Sequence, residues 1–225
     1  MGKVKIKKSD VWIDMTPMPD VMVLLLTFFM MTSTFVTPEP VQVNTPQSQS
    51  KVKVPDVDVL NILVNPEGKV FMSMDKAPDL EQTVRTILSE NNMKELTPVQ
   101  MKKFKDDPMF GVGLKKLYGY LDLPQSQMVK ALQNEGIPTD SIGGGMSEFQ
   151  QWVKIAKRTA KNPDPSLGNN LDSHELKICI KADARTSYKV VKKLMSELQD
   201  MEENRYQLIT SYKVQDTNVE KTEAK

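Results

Sequence analysis

Hydrophobic positions are spread unevenly along this chain. From Met15 to Val36 it reads MTPMPDVMVLLLTFFMMTSTFV, with no Lys or Arg and a single acid, Asp20. The other polar groups in this run are hydroxyls, which bond back to helix carbonyls and are tolerated in lipid. A hydrocarbon layer about 30 Å thick needs about 20 helical residues. A helix from Pro17 to Val36 meets that requirement. Thr16 suits the N-cap and Pro17 the first helical position, where a missing N–H costs nothing. Pro19 falls in the same turn and also leaves no helical bond broken. Thr37-Pro38-Glu39-Pro40 is a stop. The pattern predicts one uncleaved transmembrane helix over residues 15–36, since no small-x-small cleavage site follows it.

Beyond the span the periodicity changes. Residues 37–55, rich in Pro, Gln, Ser and Val, read as an extended linker whose Val-Gln-Val and Lys-Val-Lys-Val pieces suit edge pairing. Val59 to Val64, the turn Asn65-Pro66-Glu67-Gly68 and Val70 to Met74 read as a hairpin. Leu80, Val84, Ile87 and Leu88 follow helical spacing. Leu176 to Ile180 reads as a strand, and Tyr188, Val191, Leu194, Met195 and Leu198 as one face of a helix. Tyr206 to Tyr212 reads as a closing strand. Two strands, helix, strand, helix, strand predicts a small α/β domain of the α+β type, over 56–93 and 171–213, with helices on one face of a sheet. Residues 94–170 interrupt it as a mainly helical insertion, with pieces at 98–105, 113–121, 125–134 and 146–161. Residues 1–14 form a basic tail, and 214–225 a polar tail read as disordered.

Charge sets the orientation. Lys3, Lys5, Lys7 and Lys8 precede the span and no basic residue follows it until Lys51. The positive-inside rule then puts the N-terminus in the cytoplasm, with Trp12 as an interfacial anchor, and the C-terminal part outside. The net charge of +1 excludes a globally basic nucleic-acid binder. One Cys (Cys179) and one His (His174) exclude an internal disulfide and a His-based metal site, and leave no nucleophile–base pair for an enzyme. Cys179 reads as a small buried strand residue and His174 as a surface loop residue. Asp183 reads as a cap near a helix start, with Arg185 solvated. Lys154, Lys157, Arg158 and Lys161 read as a basic but solvated helix end, and Gly143-Gly144-Gly145 as a hinge that resembles no phosphate loop.

Asp20 carries the candidate chemistry. A first-turn acid gains roughly 0.3–1 kcal/mol from the helix dipole, which would make it purely structural. An ionised Asp inside hydrocarbon costs roughly 2.5–3.5 kcal/mol and usually serves ion movement. Asp20, Thr27 and Thr34 recur every seven residues, which returns a helix to within about 20° of one face. They form a polar stripe on an apolar cylinder.

The run DMTPMPDVMVLLLTFFM, Asp14 to Met30, resembles the signature of the ExbD/TolR family: Thr-Pro, two residues, Asp-Val-Met, then a Leu-rich span ending in Phe-Met. NPEGKVF and IKADARTSYKVV resemble the strand-turn-strand and strand-helix of its exported domain. Pro19 departs from the apolar residue usual there, and relatives have only a short connection where this chain inserts about eighty residues. The resemblance implies an inner-membrane, non-enzymatic subunit of a proton-motive-force-driven motor, with its C-terminal domain in the periplasm. Asp20 would carry the proton, with Thr16 and Pro17 matching the helix-start motif. It further implies a pentameric ExbB/TolQ-like partner around two copies of this helix, and a TonB- or TolA-like protein beyond; contact with peptidoglycan is instead the alternative reading of the basic end at Lys154, Lys157, Arg158 and Lys161. No cofactor is expected besides the coupling ion, H⁺ or alternatively Na⁺, and no metal. An ExbD-like role in TonB-dependent transport, a TolR-like role in envelope maintenance and a passive anchor for a wall-binding domain all remain open at this point.

Overall fold

The computed structural model describes residues 17–33, 40–48, 55, 57–107, 109–140, 145–163 and 172–212. The chain divides into two compact units, Met1–Thr37 and Pro38–Lys225. The first holds α1, Pro17–Thr32, whose two prolines sit in the opening turn. The Ser33 amide still donates to Phe29 O at 2.9 Å. Its 16 residues span about 24 Å at roughly 1.5 Å each. Among the described residues no helix is long and apolar enough to cross a membrane. Of the expected 15–36 span, residues 15, 16 and 34–36 lie outside the described residues, as do the basic tail and the stretch 214–225.

The second unit is a mixed α/β domain. Its main sheet has the order β3-β2-β4-β5. Strand β2 (Val59–Val64) pairs antiparallel with β3 (Val70–Met74) and parallel with β4 (Lys177–Ala182), and β4 pairs parallel with β5 (Tyr206–Ile209). The β2–β3 turn closes as its sequence dictates. Gly68 takes φ +81°, and the Asn65 side chain accepts from Lys69 N at 2.9 Å. In register, Leu60, Ile62 and Val64 share a face with Met72, Val70, Ile178 and Ile180. These residues form one core with Leu80, Val84, Ile87 and Leu88 of α2 (Ala77–Glu90) and with Leu194 and Leu198 of α7 (Tyr188–Asp200). Tyr188, expected on that face of α7, is exposed. The other sheet face is not bare either. Leu63 and Phe71 point there and are buried, with Gly111 against the Phe71 ring.

The insertion supplies α3 (Pro98–Asp106), a 3-10 turn at Leu114–Lys116, α4 (Leu117–Asp122), α5 (Gln125–Asn134) and α6 (Glu148–Lys161). Capping boxes start two of them, Thr97 with Gln100 and Ser147 with Gln150. These helices belong to the domain core. Phe110 exchanges two backbone hydrogen bonds with Met72, at 2.7 and 2.9 Å, and Ile137 N donates to Val70 O at 2.9 Å. The outer edge of β3 is thereby paired by residues of the insertion. The rings of Phe104, Phe110 and Trp152 pack in series, tilted against one another, with centroids 5.3 and 4.8 Å apart. Helices α2 and α6 also meet through Thr83 and Thr159, whose buried hydroxyls are 2.9 Å apart.

Residues 40–48, read as linker, lie against this domain. Val41 is buried in the core. Asn44 N donates to Asp183 Oδ2 and Ala184 N to Asn44 O, at 2.9 and 2.8 Å. β1 (Gln47–Ser48) pairs parallel with β6 (Ser211–Tyr212), so the expected closing strand divides after Ile209 into two short ones. Asp183 is therefore a hub: its Oδ1 also accepts from Arg185 N at 2.9 Å, while the Arg185 side chain is largely solvated. The backbone amides of Arg185 and Asn44 hold the Asp183 carboxyl below its ordinary range.

These contacts have three measurable consequences. A Cβ on Gly111 would come within 2.2 Å of the fully buried Phe71 ring. Gly111→Ala should therefore lower stability by about 1–3 kcal/mol, measured as a shift in the denaturant midpoint. A carboxyl with a depressed folded pKa stabilises above its unfolded value and loses that contribution as pH falls through the folded value. Acidification below the ordinary carboxylate value of 3.8 should loosen the 40–46 segment first, read as faster exchange of the Asn44 amide. Asp183→Asn, with one acceptor oxygen for two donors, should loosen it at every pH.

Candidate functional site

The candidate site lies on α1. Its first turn contains one acid, Asp20, at the end of the helix where the dipole favours negative charge. Thr27 Oγ1 donates to Leu24 O at 2.9 Å and Thr32 Oγ1 to Phe28 O at 2.8 Å. Both hydroxyls are therefore satisfied within the helix, which lowers the cost of an apolar surrounding. At about 100° per residue, Thr27 falls within roughly 20° of Asp20. Met18, Val21, Met22, Leu25, Leu26 and Phe29 line a shallow apolar groove. By the same geometry that groove is centred on the side of the cylinder away from Asp20. The apolar side chains of α1 are exposed within this unit, from Leu25 at 51% to Met31 at 88%. Helix α1 thus presents one carboxylate on one side and continuous hydrocarbon on the other.

Several expected site residues have no described surroundings. Thr16, Thr34, Lys3, Lys5, Lys7, Lys8 and Trp12 lie outside the described residues. Of the helix-start motif, Pro17 is seen to open α1.

The second unit offers no comparable chemistry at the places the sequence marked. Lys157 pairs with Glu203 and Arg158 with Glu90, so much of the basic end of α6 is spent in surface ion pairs. Cys179 is buried, and burial pushes its thiol up, away from the reactive thiolate. Among the described residues no group of three His, Cys, Asp or Glu side chains is arranged for a metal ion. His174 departs from expectation. It turns inward onto Asp79, a contact between residues far apart in sequence that no local pattern announces.

In comparison with known proteins a family model matches part of the chain, and no curated protein or solved structure matches it. The match is to the family described as biopolymer transport protein ExbD/TolR, over residues 7–108. That range takes in α1 with Asp20, residues 40–48, the β2–β3 hairpin, α2 and α3. Residues 7–108 of this chain, the Asp20 helix and the first half of the α/β domain, are thus similar to the ExbD/TolR family.

Proposed function

We propose that this chain is the ExbD-like subunit of an inner-membrane motor that uses the proton-motive force to energise TonB-dependent transport across the outer membrane. One observation carries the reading: a lone carboxylate stands opposite a continuous apolar groove on a helix inside the family match. Hydrocarbon of that extent calls for lipid or a protein partner. In the proposal α1 extends over 15–36 as a transmembrane helix, N-terminus in the cytoplasm and exported domain in the periplasm. Its groove packs against partner helices, and a second copy sits beside it within a pentameric ExbB/TolQ-like ring.

The chemistry is that of a single titrating group. Protonated from one side, Asp20 is neutral and passes an apolar wall. Deprotonated toward the other, it is charged and is held in a polar groove, since ionised Asp in hydrocarbon costs roughly 2.5–3.5 kcal/mol. Each charge moved across about 100 mV supplies about 2.3 kcal/mol to bias the turn. Thr27, its hydroxyl already satisfied, borders the path without adding an unpaired dipole.

Asp20→Asn preserves shape and removes titration. The variant should still co-purify with its polytopic membrane partner while ion-driven uptake in cells falls to background. Full uptake by the variant would overturn the proposal. Recovery of a TolA-like instead of a TonB-like protein with the wild-type complex would reassign the motor to envelope maintenance.

A further inference from the structure

The single histidine of the chain, His174, lies in the segment 172–176 that returns from the insertion to β4. That segment is fastened to the end of α6. His174 N donates to Ala160 O at 3.1 Å and Ser173 Oγ to Lys161 O at 2.6 Å. At its far end Lys177 N donates to Asp58 O at 2.8 Å. The imidazole turns inward, its side chain 11% exposed.

The two ring nitrogens are distinguishable by what they face. Nδ1 lies 2.9 Å from the backbone carbonyl of Asp172. A carbonyl only accepts, so Nδ1 bears a hydrogen. Nε2 lies 2.9 Å from Oδ2 of Asp79, whose side chain is 1% exposed. Beyond this ion-pair contact, neither Asp79 oxygen has a hydrogen-bond partner among the described residues. With Nδ1 protonated, a neutral imidazole presents only a lone pair at Nε2. A lone pair against a buried carboxylate at that separation is repulsive. The contact is attractive only when a proton resides on it, either as imidazolium against carboxylate or as neutral imidazole accepting from a carboxylic acid. Both forms hold the same number of protons.

We infer that His174 and Asp79 form a one-proton clasp that fastens the 172–176 segment to the first turn of α2, and that losing this proton releases the segment. The neighbouring charges direct the proton to this pair. Asp58, before β2, has Oδ1 at 3.7 Å from Nε2, but it is already paired with Lys76 Nζ at 2.5 Å. Asp75, at the end of β3, accepts from the amides of Asp58 and Val59 at 2.9 and 3.2 Å. Lys177, opening β4, acts on Asp58 through space. Lys76 holds the Asp58 carboxyl below its ordinary range, whereas burial pushes Asp79 above it. A carboxyl raised in the folded state contributes stability below its unfolded pKa and loses it as pH rises through the folded one. The clasp is thus closed at low pH and opens as pH rises. It joins three places distant in sequence: the end of α6, the first turn of α2 and the start of β2.

The test uses the full chain in detergent micelles. Nitrogen-15 NMR should show a proton on His174 Nε2 at low pH and the Nδ1–H tautomer once the ring is neutral. Protection factors of the 172–176 amides should fall about tenfold or more across that titration, a tenfold change corresponding to about 1.36 kcal/mol. Asp79→Asn presents its amide N–H to a neutral Nε2 and, turned over, its Oδ1 to a protonated one, so the pH step should vanish with the segment still protected. The inference is overturned if wild-type His174 samples both tautomers like a free imidazole. It is equally overturned if 172–176 protection ignores pH, or if Asp79→Asn keeps the step. Should Asp79→Asn fail to fold, the two wild-type measurements decide.

Discussion

An unpaired strand edge exposes a row of amides and carbonyls that must find partners, and in this domain the outer edge of β3 finds them in the insertion. Phe110 exchanges both backbone bonds with Met72, and Ile137 N bonds Val70 O. Those bonds place Phe110 where its ring meets Phe104 and Trp152. Trp152 in turn belongs to α6, which meets α2 through the Thr83–Thr159 contact. The insertion is therefore as much a part of the core as the strands it interrupts. The return segment after α6 then brings His174 to Asp79, so the same pairing that seals the sheet edge also frames the buried His–Asp contact.

Within the second unit two buried acids are treated in opposite ways. Asp183 is buried but surrounded by amide donors, which favour its charge. Asp79 is buried with hardly any donors, which disfavours its charge and makes its one neighbour decisive. Asp20 stands on a helix whose other faces are hydrocarbon. A carboxylate is inert when its charge is fully met and becomes a switch where its surroundings meet only one protonation state. By that criterion Asp79 is a switch-like acid of the domain, and Asp20 becomes one in the apolar setting proposed for α1.

The local elements were readable because short-range chemistry dictates them. The apolar runs Val59–Val64 and Val70–Met74 on either side of Asn65-Pro66-Glu67-Gly68 specify a hairpin, and Gly68 at positive φ closes the turn. Spacing placed α2, α5 and α6 closely, and Pro17 with Pro19 marked the start of α1. Tyr188 fits the periodicity of α7 yet is exposed, because it lies in the first turn, beyond the buried Leu194 and Leu198. His174 read as a surface residue because nothing beside it in sequence is its partner. The docked stretch 40–48 read as linker because the hydrogen bonds that fasten it use its own backbone groups, which any sequence supplies.

The sequence by itself determined the apolar run with its single acid, the strand and helix order, and the likeness of residues 7–108 to the ExbD/TolR family, since each depends on neighbours a few residues apart or on a contiguous motif. Tertiary structure alone decided that the insertion completes the sheet, that residues 40–48 lie against the domain, and that His174 meets Asp79. Each of these joins positions many residues apart. Backbone bonding and burial select such partners only once the chain has closed on itself, and no local pattern encodes which distant donor will arrive.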